Sequence, residues 1–340
     1  HIFHIMPNNK KKKTKKAKGG AGASRSYEQL CEHAEQCLVH VEPQSAIPLL
    51  EQALQLNSQG TVAMDLLAQA FLELGQPQDA LPWLEKSTQI APDDNYHKWM
   101  SSGQISSGFT AIRCFQKGVE MMEEERKNAT GEEAEELRME VSNAYCAMAE
   151  IFVTDLCDES VAESECERLL LLAVQACDTN PAAHYAVANL RMIQKRKEDA
   201  QASLKRTVEI LQDESEDWGF EVMLNTAKAC FEMEQHESAC ALFERLLGQD
   251  DRFVEIWYLT GACYAKLGGD GPVLAKQYFQ RAKTMMEMSM GASSSSSSSS
   301  SSDLPSVHLP DGADEQSKEL YQKIDQALQQ LPDGDDQDMS

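Results

Sequence analysis

Small and large apolar residues recur at a constant spacing along most of the chain. A small side chain is followed four positions later by a large apolar one, and usually three positions after that by another small one. Positions four and seven apart lie on one stripe of an α-helix. Small residues that alternate with large ones on this stripe let two helices interlock closely. The pattern predicts a series of similar helices whose stripes begin at Ala46, Ala80, Ala111, Cys166, Ala200, Ala239 and Ala275.

The starting residues of these stripes are separated by 34, 31, 55, 34, 39 and 36 residues. Each is preceded by another helical segment, and the last one follows Trp257, Thr260, Gly261 and Tyr264. This period and this opening resemble tetratricopeptide repeats, in which two helices form a unit of about 34 residues. We therefore predict an all-α fold, a right-handed superhelical solenoid of about seven tetratricopeptide-like helix pairs, which covers residues 27–288 between disordered tails.

The fourth repeat departs from this period. Its 55-residue interval contains a glutamate-rich stretch at 123–136, so we expect a lengthened helix or a lengthened entry to it. The third repeat opens with Trp99 and Gly103 and then reaches Ala111 through a shortened turn. Pro181 marks a boundary between repeats, because proline stops one helix and can begin the next.

The charge of the chain is unevenly distributed. Lys and Arg number 31 and Asp and Glu number 55, which gives a net charge of −24. Residues 1–26 hold eight of the basic residues and no acid, so the remaining residues hold 23 basic and 55 acidic side chains, a net charge of −32. Clustered Lys and Arg are what hold nucleic acid, so this body is not expected to bind it directly. A basic partner suits its charge.

Both ends are predicted to be disordered tails. Residues 1–26, of which the five before Met6 are expected to be extraneous, form a basic tail. Residues 289–340 combine a linker that contains ten consecutive serines with an acidic tail, which holds one short helix at about Glu315–Leu331. The lysines of the first tail are a candidate nuclear-import signal, with a solubilising role as an equal alternative and a weak nucleic-acid contact as a third interpretation, which the negative body disfavours. They are Lys10, Lys11, Lys12, Lys13, Lys15, Lys16 and Lys18.

No group of residues has the spacing of a catalytic or metal site. His33 and Cys37, like His236 and Cys240, are four apart, which makes only half of a site, and a packed Cys beside a surface His explains each pair. The acidic clusters lack the spacing of a calcium loop. We therefore predict no enzyme activity, no cofactor and no bound metal. Ten single cysteines without a CxxC pair favour free thiols in a reducing compartment.

A solenoid of this kind binds partners, because the first helices of its pairs line a long concave groove that fits an extended peptide. Aligning those helices by their opening residues predicts a groove of carboxylates with apolar and aromatic neighbours. Such a wall suits a cationic, partly apolar segment, which charge steers and aromatic burial holds. The predicted partner-binding residues are Asp65, Gln69, Asn143, Glu150, Asp155, Glu221, Lys228, Phe231, Glu255 and Tyr258.

Several local stretches resemble one subfamily of repeat proteins. They are Ala149–Cys157, followed by Ala162–Glu163 and Cys166–Glu167, together with Lys98–Gln104 and Asn180–Arg191. With the lysine-rich start and the acidic end, they are similar to the dedicated assembly chaperones of ribosomal protein four of the large subunit, known from fungi. The resemblance implies a chaperone that grips a long basic loop of this newly made protein in its groove. It also implies escort from the cytoplasm into the nucleus, with an import receptor as a further partner.

The alternative interpretation keeps the fold and changes the partner. A tetratricopeptide co-chaperone or scaffold would bind the acidic tail of a heat-shock chaperone, or another peptide. Binding a terminal carboxylate requires a clamp of Lys, Asn and Arg on the inner face. The aligned positions hold Cys31, Glu35 and Asp65, whose charge is wrong for that ligand, so the sequence favours the basic partner.

Overall fold

The computed structural model describes residues 25–213, 218–293 and 315–331. Within these ranges the chain forms fifteen α-helices, which confirms the predicted all-α fold. Their bounds are α1 Tyr27–Val39, α2 Pro43–Leu56, α3 Thr61–Glu73, α4 Pro77–Ile90, α5 His97–Ile105, α6 Gly108–Arg126, α7 Glu132–Val153, α8 Ala162–Ala176, α9 Pro181–Ile193, α10 Lys197–Leu211, α11 Phe220–Glu232, α12 His236–Gln249, α13 Val254–Tyr264, α14 Gly271–Ser293 and α15 Glu315–Gln330.

Consecutive helices pack as the predicted pairs. Contacts join α1 to α2, α3 to α4, α5 to α6, α7 to α8, α11 to α12 and α13 to α14. The fifth pair, α9 and α10, contributes Ala188 and Leu204 to one buried cluster. The predicted stripe residues lie in the second helix of each pair, and Ala46, Ala80 and Ala239 among them are fully buried. The stripe is therefore the surface through which each second helix packs.

The chain divides into two compact units, an amino-terminal unit that ends at Ala183 and a carboxy-terminal unit that begins at His184, within α9. Leu50 and Leu67 belong to the core of the amino-terminal unit. Phe243 belongs to the core of the carboxy-terminal unit. The repeat spacing gave no indication of this division, because the stripes on either side of it are separated by the ordinary 34 residues.

Two glycines in first helices show why small residues alternate with large ones. A Cβ atom added to Gly103 would lie 2.9 Å from the ring of Phe115, and one added to Gly261 would lie 2.8 Å from the ring of Phe279. Each ring occupies the space that the missing side chain leaves, so the two helices of the pair approach closely. This confirms the predicted interlocking in the third and seventh pairs.

The irregular fourth repeat results from two long helices. α6 has 19 residues and α7 has 22, whereas α3 has 13. The glutamate-rich stretch forms the end of α6, a short turn and the start of α7. The prediction of a lengthened helix or a lengthened entry is confirmed for the first helix of the fourth pair, α7, and the second helix of the third pair, α6, is long as well. After Val153 an eight-residue loop, 154–161, leads to α8.

A buried lysine joins the second repeat to the third. Lys98 in α5 is only 1% exposed. Its ammonium donates hydrogen bonds to the Ser87 hydroxyl at 3.3 Å, to the Ala91 carbonyl and to the Asp94 carboxylate. The three N–H donors thus meet three acceptors, which offsets much of the cost of burying a charge.

The last helix packs on the seventh pair. α15 contacts both α13 and α14, and its Leu320 and Ile324 are buried in their apolar cluster. Lys283 of α14 forms an ion pair with Asp325 of α15 at 2.6 Å. The short helix predicted at about 315–331 is confirmed, and its apolar face lies against the seventh pair.

The ten cysteines all fall among the described residues, as free thiols, of which Cys157 is exposed. In the described ranges, no helix is both long enough and apolar enough to cross a bilayer. Those same ranges contain no group of three His, Cys, Asp or Glu side chains arranged to hold a metal ion. The candidate import lysines and the serines at 294–302 lie outside the described residues.

Candidate partner-binding surface

In the amino-terminal unit, the predicted residues of α3 take part in local hydrogen bonds. Asp65 is half-buried, and the Asn95 amide donates to its carboxylate at 3.1 Å. Burial raises the pKa of Asp65, although the nearby charge of Lys98 opposes this shift. Gln69 donates to the Glu73 carboxylate one turn later at 2.9 Å. Asp65 therefore belongs to the polar contacts around the buried lysine, in addition to any contact with a partner.

The predicted residues of the fourth repeat also have roles in the fold. Asn143 in α7 accepts a hydrogen bond from the buried Asn180 amide at 2.8 Å, and the Asn180 oxygen accepts a backbone N–H from the first turn of α9 at 3.0 Å. Asp155 accepts the backbone N–H of Gly108, the first residue of α6, at 2.9 Å. This carboxylate therefore caps α6. Glu150 lies half-exposed near the end of α7.

In the carboxy-terminal unit, α11 and α13 carry a mixed row of charged and aromatic side chains. The Lys228 ammonium pairs with the Glu255 carboxylate at 2.9 Å, which joins the two first helices. The Lys228 and Glu255 side chains remain 38% and 46% exposed. Glu221 is exposed in the first turn of α11, where the helix dipole favours a carboxylate. The row thus combines two carboxylates with one lysine, and the lysine partly neutralises one of them.

Two predicted aromatic residues lie in the same row. The Phe231 ring is 5.6 Å from the His236 ring, and the Tyr258 ring is 5.7 Å from the Phe279 ring. Both Phe231 and Tyr258 are half-buried, and Tyr258 also belongs to the apolar cluster that includes α15. The structure therefore places Glu221, Lys228, Phe231, Glu255 and Tyr258 on neighbouring first helices of one unit. Apolar ring surface lies beside charge there, as the predicted ligand requires.

A second concentration of negative charge lies where α6 ends and α7 begins. Residues 120–140 contain nine acids and three basic residues. The basic residues pair with neighbouring carboxylates, as Arg138 does with Glu135 at 3.1 Å. Burial raises the pKa of Glu140, and the carboxylates of Glu136 and Glu125 add to this shift. Carboxylates in this region thus repel one another, which makes it a source of negative potential.

Sequence reasoning missed the roles of Lys98 and Asn180. For Asn180 a signal was available, since an Asn directly before Pro at a helix start is a common capping arrangement. For Lys98 there was none, because a lysine within a helix is ordinarily solvated.

Comparison with known proteins supports the repeat fold. The tetratricopeptide repeat family model matches residues 42–101, from the start of α2 into α5. The solved structure of "Assembly Chaperone of RpL4 (Acl4) (Residues 1-338)" superimposes with a TM-score of 0.64 and covers 72% of this chain and 97% of that one. Because the two sequences are 24% identical, this likeness concerns the fold.

Two curated relatives share longer stretches of sequence. The one from Schizosaccharomyces pombe is 31% identical over 215 residues, which are 60% of this chain and 63% of that protein. The one from Emericella nidulans is 25% identical over 263 residues, 72% of this chain and 66% of that protein. The chain thus spans slightly less than two thirds of each relative. Both relatives are named "Probable assembly chaperone of rpl4", which confirms the predicted resemblance to that group.

Proposed function

We propose that this tetratricopeptide-repeat chain, which resembles curated assembly chaperones of rpl4, is a non-enzymatic chaperone that holds rpl4 before it joins the large ribosomal subunit. The observation that carries the proposal is the 31% identity with the Schizosaccharomyces pombe relative. The charge agrees with it, since residues 27–340 carry a net charge of −32 and a ribosomal protein must present basic segments to rRNA. Covering those segments before assembly keeps them from stray RNA and from aggregation.

The mixed row on α11 and α13 supplies the proposed contacts. Glu221 and Glu255 attract Lys or Arg of the client, and the half-buried rings of Phe231 and Tyr258 bury its apolar side chains. Lys228 neutralises Glu255 while the client is absent, so a client cation competes with Lys228 for this carboxylate. Screening limits the reach of each charge to about 8 Å at physiological ionic strength. Carboxylates farther away mainly raise the rate of encounter.

Escort into the nucleus is the second part of the proposal. The lysines at 10–18 have the composition that an import receptor recognises, and in this proposal they carry the complex from the cytoplasm to the nucleus. Release there follows competition by rRNA, whose phosphates form a denser negative array than the groove. Deleting residues 6–26 should then slow nuclear entry of a fluorescently tagged chain without changing its affinity for rpl4.

The sharpest test of client binding uses two substitutions in the Lys228–Glu255 pair, one that removes the negative charge and one that removes the positive charge. Glu255→Gln removes an attracting charge and should weaken rpl4 binding about two- to fivefold, the range of an exposed ion pair. Lys228→Gln removes the internal competitor and should strengthen binding by a similar factor. The matched control is the Lys197–Glu234 pair, 2.6 Å apart on the same unit and outside the row, changed to Gln in the same way. Kd would be measured by fluorescence anisotropy of labelled rpl4 at several salt concentrations.

Opposite shifts from the two row variants, reduced at high salt, would support the row as the client site. Equal effects from the row and control variants would show that only net charge matters and would contradict this site. Failure of the wild-type chain to bind rpl4, with capture of an acidic peptide that ends in a free carboxylate, would replace the proposal by the co-chaperone alternative.

A further inference from the structure

We infer that the start of α6 and the α7–α8 loop together form a second docking surface, which binds an apolar side chain flanked by Lys or Arg on an extended partner segment. This surface, here called the Phe109 edge, consists of Phe109, Val153 and Val161 with the loop carboxylates Asp158 and Glu159. It uses none of the residues of the α11–α13 row. The inference rests on the proposed function only for the choice of rpl4 as one of its probes.

The Phe109 edge exposes three apolar side chains. Phe109 is 51% exposed, and it is the one exposed aromatic residue among the residues that the structure describes. Val153 and Val161 are 36% and 47% exposed. Val153 and Val161 bound the loop whose Asp155 contacts Gly108, the residue before Phe109. Single exposed apolar residues are ordinary, but several of them on two segments that are in contact, with an aromatic ring among them, are typical of a contact site.

The edge is held in place from beneath. The Phe109 ring meets the buried Phe152 ring edge to face, with 6.5 Å between the ring centres. Asp155 of the loop accepts the Gly108 N–H at 2.9 Å, so Phe109 and Val153 flank a direct contact between the two segments. The Leu156 side chain is buried, 3.6 Å from the position that a Cβ of Gly108 would take. This support orders the exposed side chains before a partner arrives, which lowers the entropy cost of binding.

Hydrogen-bonded turns fix the rest of the loop. The Leu156 N–H donates to the Ile151 carbonyl at 3.0 Å, the Glu159 N–H donates to the Leu156 carbonyl at 3.0 Å, and the Ala162 N–H donates to the Glu159 carbonyl at 2.9 Å. The loop therefore has a defined path from α7 to α8. Its carboxylates at Asp158 and Glu159 are exposed.

The charge around the edge selects its occupant. Residues 139–167 contain eight acids and no Lys, Arg or His. On the α6 side Arg113, one turn after Phe109, is exposed, so the loop carboxylates Asp155, Asp158 and Glu159 outnumber this one cation. A nucleic acid or an anionic membrane surface would be repelled by these carboxylates, and a purely apolar partner would leave them without a counter-charge. A segment that places Lys or Arg beside Phe, Leu or Val can contact the exposed Phe109 ring and also pair with the loop carboxylates. The occupant is therefore a basic, apolar stretch of a partner protein.

The experiment compares Phe109→Ser with Leu171→Ser in the full chain. Leu171 in α8 is 59% exposed, so its substitution controls for losing an exposed apolar side chain outside the edge. Two labelled probes are titrated by fluorescence anisotropy: rpl4, and a synthetic peptide that alternates Lys with Leu and Phe. We expect Phe109→Ser to weaken binding of both probes at least fivefold, and Leu171→Ser to leave it within twofold. Circular dichroism checks that each variant keeps its helices.

A second variant, Asp158→Lys with Glu159→Lys, leaves the apolar side chains intact and guards against misfolding of the first. It should weaken binding of the Lys-containing peptide at least fivefold at low salt and less at high salt. If rpl4 binds but neither edge variant changes its Kd, the Phe109 edge is excluded and the α11–α13 row stands. If only the synthetic peptide binds and its binding depends on Phe109, the edge stands and the proposed client fails. If neither probe binds, both proposals are overturned.

Discussion

The third and seventh repeats begin alike but carry chemically different buried residues directly before the tryptophan. Trp99 and Trp257 open their first helices, and each indole N–H donates to a backbone carbonyl of the preceding loop, Pro92 in one case and Asp251 in the other, at 2.7 Å in both. The residue before the tryptophan is Lys98 in the third repeat and Ile256 in the seventh. Each of these is only 1% exposed.

The two residues solve the same packing problem with different chemistry. Ile256 fills its site within an apolar cluster, which is stabilised by removing that surface from water. Lys98 fills the equivalent site with its aliphatic stem and brings its charge to acceptors on α4 and on the loop before α5. A buried position in a repeat can therefore hold a cation, provided that neighbouring segments supply all of its acceptors.

The largest effect should come from placing a lysine in the seventh repeat, where the equivalent buried residue lies in an apolar cluster. Ile256→Lys would place a charge within an apolar cluster, so we expect a loss of at least about 4 kcal/mol in the stability of α12–α14. Hydrogen exchange measured by mass spectrometry would show this loss as faster exchange in those helices. Val273→Lys, at an exposed position of α14, is the control. Normal protection in Ile256→Lys would refute the equivalence of the two sites.

Removing the buried lysine should have the next largest effect. Lys98→Ala leaves the Ser87 hydroxyl and the Ala91 carbonyl without their donor and should cost about 3 kcal/mol. Lys98→Met keeps the aliphatic stem and should cost less, about 1–2 kcal/mol. The control is Lys117→Ala, because Lys117 pairs with the exposed Asp93 at 2.7 Å on the same unit, an interaction worth below about 1 kcal/mol. Hydrogen exchange in α3–α5 measures all three, and similar losses from Lys98→Ala and Lys117→Ala would contradict the structural role.

The tryptophan hydrogen bond that both repeats share should contribute equally to the stability of each, and less than the buried lysine does. Trp99→Phe and Trp257→Phe each remove one indole N–H hydrogen bond and keep an aromatic ring, so each should cost about 1 kcal/mol. Exchange rates in α5 and α13 would be compared directly. A much smaller loss at Trp99 than at Trp257 would mean that the lysine network, and not the tryptophan, holds the start of the third repeat.

The smallest effect concerns pH. Burial raises the pKa of Asp65 in the folded chain, so its carboxylate destabilises the fold near neutral pH, and this cost disappears as the pH falls through the raised pKa. Asp65→Asn should therefore be more stable than the parent at pH 7, by less than the losses expected above. The difference should vanish below pH of about 4. Urea unfolding at both pH values tests this, with Glu85→Gln at an exposed position of α4 as control, and a gain that persists at low pH would argue against the assigned cause.

The helix pairs could be predicted from the sequence because their packing repeats. A stripe such as Ala239, Phe243 and Leu246 indicates packing within one helix pair. Because seven similar stripes occur, each one strengthens the prediction of the others. Contacts between distant positions leave no such periodic signal. The Gly108 N–H and the Asp155 carboxylate lie 47 residues apart, and neither residue is unusual in its local sequence.

The predicted partner-binding residues likewise fall into those that the repeat pattern places and those whose contacts are distant in sequence. Lys228, Glu255 and Tyr258 could be placed on adjacent first helices by register alone, because each lies in a regular repeat. Asp155 was predicted to bind a partner, and its position as the cap of α6 means that Asp155→Lys would also weaken the fold. Loss of capture by that variant would not identify a binding residue, so the Phe109 edge is better tested through Phe109 itself.

The position of α15 has a consequence for self-association of the chain. Each repeat packs on the next through the same kind of apolar face. If this face is uncovered on the last repeat, the first repeat of a second molecule can pack on it, and head-to-tail association of this kind forms an open polymer. Ile324 and Leu320 occupy that face on α13 and α14. A chain shortened before residue 294 should therefore grow in mass with concentration in light scattering, whereas the full chain, whose last face α15 covers, should keep a constant mass.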